Sequence, residues 1–263
     1  MKKILAFILA AIVVFALVSC GEEEVEDGSS IQDVADVSVY TDPTTGDKLT
    51  YEVDELGGYV ITGFTSASSA AHKVVIPAEI ENVEVTGIAS RAFGSSSYLS
   101  EVEIPASVEY ISDYAFYNCK YLTKVTMADS VTKIGVGVFE HCKVLASVNL
   151  SANIDVVPAY IFNDCPALTS IVIPEKVTEI GECAFMGCAS FTEVTVPANV
   201  KTIGDCAFYN NTLLTKAIVP ANVETFGQFV FNAAAEGFVL VGAEGSAAAT
   251  YAVENEHTFE VLA

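Results

Sequence analysis

The stretch Val177-Thr178-Glu179-Ile180-Gly181-Glu182-Cys183-Ala184-Phe185-Met186-Gly187-Cys188-Ala189-Ser190-Phe191-Thr192-Glu193-Val194-Thr195-Val196-Pro197 decides the fold, because its apolar residues recur at one fixed spacing on either side. Phe185 belongs to a column Phe93, Phe116, Phe139, Phe162, Phe185, Phe208 and Phe231, stepped by 23 residues without a slip over seven copies. Val177 belongs to Val85, Val108, Val131, Ile154, Val177, Val200 and Val223, and Ile180 to Ile88, Ile111, Ile134, Val157, Ile180, Ile203 and Phe226. Phe191 continues Leu99, Leu122, Leu145 and Leu168, and Val194 continues Val102, Val125, Val148 and Ile171.

A fixed period between 20 and 29 residues containing Leu-x-x-Val-x-Ile marks a leucine-rich repeat. Each unit has an apolar stripe that it cannot bury alone, so coils must stack and like residues must form ladders roughly 5 Å apart. The expected fold is α/β: a right-handed solenoid of seven 23-residue coils with short parallel strands, an N-terminal β cap and a C-terminal αβ cap. Proline closes the strand motif at Pro77, Pro105, Pro174, Pro197 and Pro220, where its missing N–H stops a ladder, although Ala128 and Ser151 take the same place in two central coils. The extra residues Glu79-Ile80-Glu81-Asn82-Val83 should bulge from the first coil.

The quoted unit resembles the repeat of the BspA-like leucine-rich-repeat family of bacterial surface antigens, over about residues 74–231. That resemblance implies an exported adhesin or surface antigen that binds host or microbial proteins, in a family whose repeat is also fused to other modules. The N-terminus agrees with export. Lys2 and Lys3 precede the apolar run Ile4 to Val18, too short for a comfortable membrane span of roughly 20 residues but suited to a signal peptide. Leu17-Val18-Ser19-Cys20 resembles the bacterial lipobox, which implies cleavage before Cys20 and diacylglycerol on its thiol. Residues 1–19 are then a lipoprotein signal peptide and 20–37 an acidic flexible tether. Residues 38–76 form a capping β hairpin around Gly57-Gly58, 77–237 the solenoid and 238–263 the C-terminal cap. In that cap Phe238–Val241 reads as a strand, Ser246 as the N-cap of a short helix, and Phe259–Leu262 as a closing strand.

Charge narrows the partners. The chain carries 34 acidic against 12 basic side chains, a formal charge of −22, with twelve of the acids in residues 21–55. Such a polyanion is repelled by phosphate backbones, so nucleic acid is excluded as a partner class. Membrane attachment is expected only through the lipid on Cys20. The expected location is the bacterial cell envelope, at the cell surface or outer membrane.

No His-Glu-x-x-His, phosphate-binding glycine loop or Gly-x-Ser-x-Gly elbow is present, so the expectation is a protein that is not an enzyme and takes no cofactor. Cys119, Cys142, Cys165 and Cys188 share one column, and Cys183 and Cys206 another. Ser96, Asn211 and Ala234 fill the first column elsewhere, which favours small buried free thiols over disulfides. Zinc is disfavoured by the absence of a Cys-x-x-Cys pair and the scattering of His72, His141 and His257. With Leu-x-x-Val-x-Ile facing inward, the outward columns are Glu101, Lys124, Ser147, Ser170, Glu193 and Lys216, beside Glu103, Thr126, Asn149, Val172, Thr195 and Ile218. They form the candidate binding face for a protein or glycan, with ordinary solvated strand residues as the competing reading. Tyr114, Tyr117, Tyr160 and Tyr209 on the return side form a second candidate surface. A periplasmic or envelope scaffold, or a solute-holding lipoprotein, is the alternative function.

Overall fold

The computed structural model describes residues 37–262, and Cys20 with its leader and tether lies outside them. The chain enters as three antiparallel strands: β1 (Ser38–Thr41), β2 (Lys48–Val53) and β3 (Tyr59–Thr65). Between β2 and β3 the Asp54 carboxylate accepts from the Leu56 and Gly58 N–H groups, and Gly57 takes a left-handed φ of 91° to close the turn. β4 (His72–Val75) follows. The sequence insertion becomes a small hairpin of β5 (Glu79–Ile80) against β6 (Val83–Ile88), turned by left-handed Glu81 and Asn82.

From here each coil lays down a strand on one face and a two-residue strand on the next. These are β7 (Leu99–Ile104) and β8 (Tyr110–Ile111), β9 (Lys124–Met127) and β10 (Lys133–Ile134), β11 (Ser147–Asn149) and β12 (Val156–Val157). Then come β13 (Glu179–Ile180), β14 (Glu193–Thr195), β15 (Thr202–Ile203), β16 (Lys216–Ile218), β17 (Thr225–Phe226) and β18 (Val239–Gly242). Helix α1 (Ala247–Glu254), N-capped by Ser246 through the Ala249 N–H, leads into β19 (Thr258–Val261), which pairs parallel with β18. All pairing beyond β3, apart from the β5–β6 hairpin, is parallel and joins residues one coil apart. Because β3 and β4 pair with the first coil, and β18 and β19 with the last, the solenoid runs past the seven Phe-bearing coils to about nine turns.

The phenylalanines form one continuous stack. Successive ring centroids from Phe93 to Phe231 lie 4.9–5.6 Å apart with interplanar angles of 9–17°. Phe64 covers one end at 5.3 Å and Phe238 the other at 5.3 Å, so neither terminal ring meets water. The third side of each coil, which carries these rings, is an arc held by its own ladder. Three N–H groups of each arc donate to carbonyls of the next coil, as Tyr160 to Glu182, Phe162 to Ala184 and Asp164 to Met186 at 2.7–2.9 Å. This ladder persists from the arc of Phe93 to that of Phe208. Its geometry depends on two left-handed residues per arc, flanking the phenylalanine at −2 and +2: Tyr160 and Asp164 around Phe162, Tyr114 and Asn118 around Phe116. Left-handed φ is costly for residues with a Cβ, so the arcs hold local strain that stacking offsets.

All six described cysteines are free, five buried and Cys206 half-buried. In the column of four, the thiol is more than a small filler. Cys119, Cys142, Cys165 and Cys188 donate to the carbonyls of Phe93, Phe116, Phe139 and Phe162 in the preceding coil, at 3.1–3.3 Å. Asn211 stands in the same column, fully buried, and neither its amide nitrogen nor its oxygen has a partner.

Both strand ladders are interrupted near the middle. Ser112, Gly135, Gly181, Gly204 and Gly227 donate their N–H to the preceding coil at 2.7–2.8 Å, but Pro158 occupies that place one coil before Gly181 and has no N–H to give. β10 and β12 accordingly do not pair, and the second face divides into β3-β6-β8-β10 and β12-β13-β15-β17. On the first face Thr169–Ile173 make no backbone bond to either neighbouring coil, although Ile173 stays buried. No side chain accounts for this second gap.

The entry strands are fixed to the solenoid by a partly buried ion pair. His72 Nε2 lies 2.6 Å from Asp47 Oδ2 and Nδ1 3.1 Å from the Ala70 carbonyl, so both ring nitrogens face acceptors and the imidazolium is favoured. The Asp47 hydrogen bond raises the His72 pKa against the opposing effect of burial. Burial pushes the Asp47 carboxyl up, but hydrogen bonds from His72, the Ala67 N–H and Thr45 outweigh it and leave the pKa lowered.

Three outcomes are expected. Phe162→Ala costs about 3–5 kcal/mol in a denaturant titration, the range for a buried aromatic truncation, and a loss under about 1 kcal/mol would contradict the stack. Asn211→Cys gains about 1–2 kcal/mol, since it removes two orphaned buried polar atoms and supplies a donor for the Phe185 carbonyl. The Asp47–His72 contribution is complete between the ordinary carboxylate and imidazole pKa values, about 4 to 6.5. It is lost as pH rises through the raised His72 pKa and as pH falls through the lowered Asp47 pKa. Melting curves of His72→Phe should lack the alkaline part of this dependence.

Candidate binding face

Alternation along short parallel strands places every second side chain in solvent. Val102, Val125, Val194 and Ala217 are buried, so their neighbours on either side point outward. The structure brings Glu101, Glu103, Lys124, Thr126 and Asn149 together on the sheet β4-β7-β9-β11. Glu193, Thr195, Lys216 and Ile218 share a second sheet, β14-β16-β18-β19. Val172 lies on neither. It sits on the unpaired segment between the two sheets and is 84% exposed.

The ladder register sets the electrostatics of the face. Glu101 is directly opposite Lys124 and Glu193 directly opposite Lys216, so each sheet carries a cross-strand pair of opposite sign. Glu103 reaches back instead to Lys73 on β4, at 2.5 Å. Asn149 donates to the Met127 carbonyl of the previous coil. Two polar blocks therefore flank an apolar spot.

On the return side the four tyrosines do not make one surface. The Arg91 guanidinium lies 4.8 Å from the Tyr114 ring centroid and 5.5 Å from that of Tyr117, and these two rings meet edge to face at 5.9 Å. Tyr117 also meets the His141 ring edge to face at 5.5 Å, and His141 Nδ1 is 2.9 Å from Asp164 Oδ2, which Lys143 also contacts. Tyr160 stands apart and donates its hydroxyl to Glu182. Tyr209 is exposed without a ring partner of this kind. Most of this aromatic area is thus spent on contacts between coils.

Sequence reasoning missed Arg91, His141, Lys143 and Asp164 as members of one surface chain. The signal was present in the spacing, since Asn118, His141 and Asp164 share a column, but only the left-handed arc brings these side chains to one edge.

A cavity of about 540 Å³ opens between Phe226–Phe229 and α1, and another of about 230 Å³, between the Asp42–Asp47 turn and β4, borders the face at β4. Among the described residues no three His, Cys, Asp or Glu side chains converge as metal ligands, and no helix is long and apolar enough to cross a membrane.

Comparison with known proteins agrees with this architecture. A leucine-rich-repeat protein from Eubacterium ventriosum is 23% identical with a TM-score of 0.61, over 70% of this chain and 50% of its own. A leucine-rich cell surface protein from Faecalibacterium prausnitzii is 29% identical with a TM-score of 0.64, over 80% of this chain and 56% of its own. The chain thus spans about half the length of these two solved relatives. No curated protein matches it by sequence. The BspA type leucine-rich repeat region matches residues 66–166 and 155–236, in six copies. With more than half of its length matched in phase with the Phe ladder, the chain belongs to the BspA-type leucine-rich-repeat family.

Proposed function

We propose that this chain is an exported, lipid-anchored binding module of the bacterial surface, an adhesin that holds a protein or glycan partner against the strand face without catalysing a reaction on it. The observation that carries the reading is the face itself. Outward side chains of successive strands stand in register across two sheets, with charges of both signs and an open Val172, and the cavity of about 230 Å³ touches this face at its β4 edge. An extended, shallow surface suits a large partner; a small solute needs a recess to bury most of its area. The F. prausnitzii relative, named as a cell surface protein, supports the location. Cys20 supplies the anchor, and with several acyl chains on one thiol the attachment is lasting, since each buried methylene adds about 0.8 kcal/mol.

Protease treatment of intact cells is expected to release the repeat region, whereas full protection would favour the envelope-scaffold reading. Cys20→Ala should abolish incorporation of labelled fatty acid and shed the protein into the medium. Lys124→Gln with Lys216→Gln should weaken attachment to host matrix or neighbouring bacteria about tenfold. Its melting temperature should stay nearly unchanged, because isolated surface substitutions alter stability by about 0.5 kcal/mol or less.

A further inference from the structure

The six cysteines fall into two chemically different groups. Four are wholly buried and donate their S–H to a phenylalanine carbonyl, which leaves them no route to an oxidant. Cys183 and Cys206 differ on each count. They occupy one outer position on consecutive arcs, and neither thiol donates to a backbone carbonyl. Cys183 is 7% exposed, while Cys206 is half-buried and open to small molecules.

Their placement is that of a cross-link. The Cys183 N–H donates to the Asp205 carbonyl at 2.9 Å and the Cys206 N–H to the Gln228 carbonyl at 2.8 Å, so both residues sit at the same point of the arc ladder. Both are left-handed, with φ of 51° and 54°, so consecutive coils present the two cysteines in the same backbone conformation. One coil spacing of roughly 5 Å lies within the Cα separation a disulfide tolerates, about 4.4–6.8 Å.

We propose that Cys183 and Cys206 form a disulfide that staples two consecutive coils when the chain meets a low-molecular-weight disulfide, RSSR, outside the reducing cytoplasm. The Cys206 thiolate attacks one sulfur of RSSR and expels RS⁻, giving Cys206–S–S–R. The Cys183 thiolate then attacks the Cys206 sulfur and expels the second RS⁻. One S–S bond breaks and one forms, two electrons pass to RSSR, and the two thiol protons end on two RSH. The order follows from access, because Cys206 is half-buried whereas Cys183 is 7% exposed and its thiol is pushed up by burial to about 11.

The test is incubation of the full chain with oxidised glutathione, acid quenching, alkylation under denaturing conditions and peptide mapping. The expected result is a peptide pair linked through Cys183 and Cys206, with Cys119, Cys142, Cys165 and Cys188 recovered alkylated. Cys183→Ser should trap glutathione on Cys206. Recovery of both cysteines alkylated, a lasting glutathione adduct on Cys206 of the unaltered chain, or linkage within the column of four would overturn the proposal.

Discussion

Every phenylalanine-bearing coil of this protein depends on the same constraint: residue i must lie over residue i + 23. Aromatic rings enforce it most strongly, because a flat ring offset by one residue would leave a void on one side and a clash on the other. The six contacts from Phe93 to Phe231, closed by Phe64 and Phe238, make the register common to all turns. Backbone bonds of the arc run beside the stack and keep the same step, so the apolar and the polar halves of each coil agree on one period. Polar side chains follow it too. Thr123, Thr178 and Thr215 each donate to the carbonyl of a residue 23 positions earlier.

Much of this was legible in the sequence, since columns of Phe, Leu, Val and Ile reveal which positions face inward. The end strands were legible as alternating apolar segments, and Ser246 as a helix cap. The arc was not. Left-handed backbone is usually announced by glycine or asparagine, and one of its two columns does read Ser95, Asn118, His141, Asp164, Gly187, Asn210, Ala233. The other reads Arg91, Tyr114, Gly137, Tyr160, Cys183, Cys206, Phe229, where side chains that rarely tolerate such φ are held by their neighbours above and below. Cys119 and its column were legible as small residues, but their role as donors was not, because a sequence shows volume and not the direction of an S–H bond.

The candidate face was legible in its exposure. Alternation around Val102, Val125 and Val194 placed Glu101, Lys124 and Glu193 in solvent, and the structure keeps them there. The pairing of Glu101 with Lys124 and of Glu193 with Lys216 was legible too, because the 23-residue step that fixes the Phe column also fixes this register. The tyrosines illustrate the limit. Tyr114 and Tyr117 looked like recognition surface, yet they spend much of their area on Arg91 and His141.

The interruption at Pro158 and Thr169–Ile173 has a mechanical meaning. Around these residues successive turns are joined by the arc and the rings but not by both strand ladders, while the turns on either side keep all three connections. Load applied along the axis would concentrate at this seam and spare the blocks that it separates.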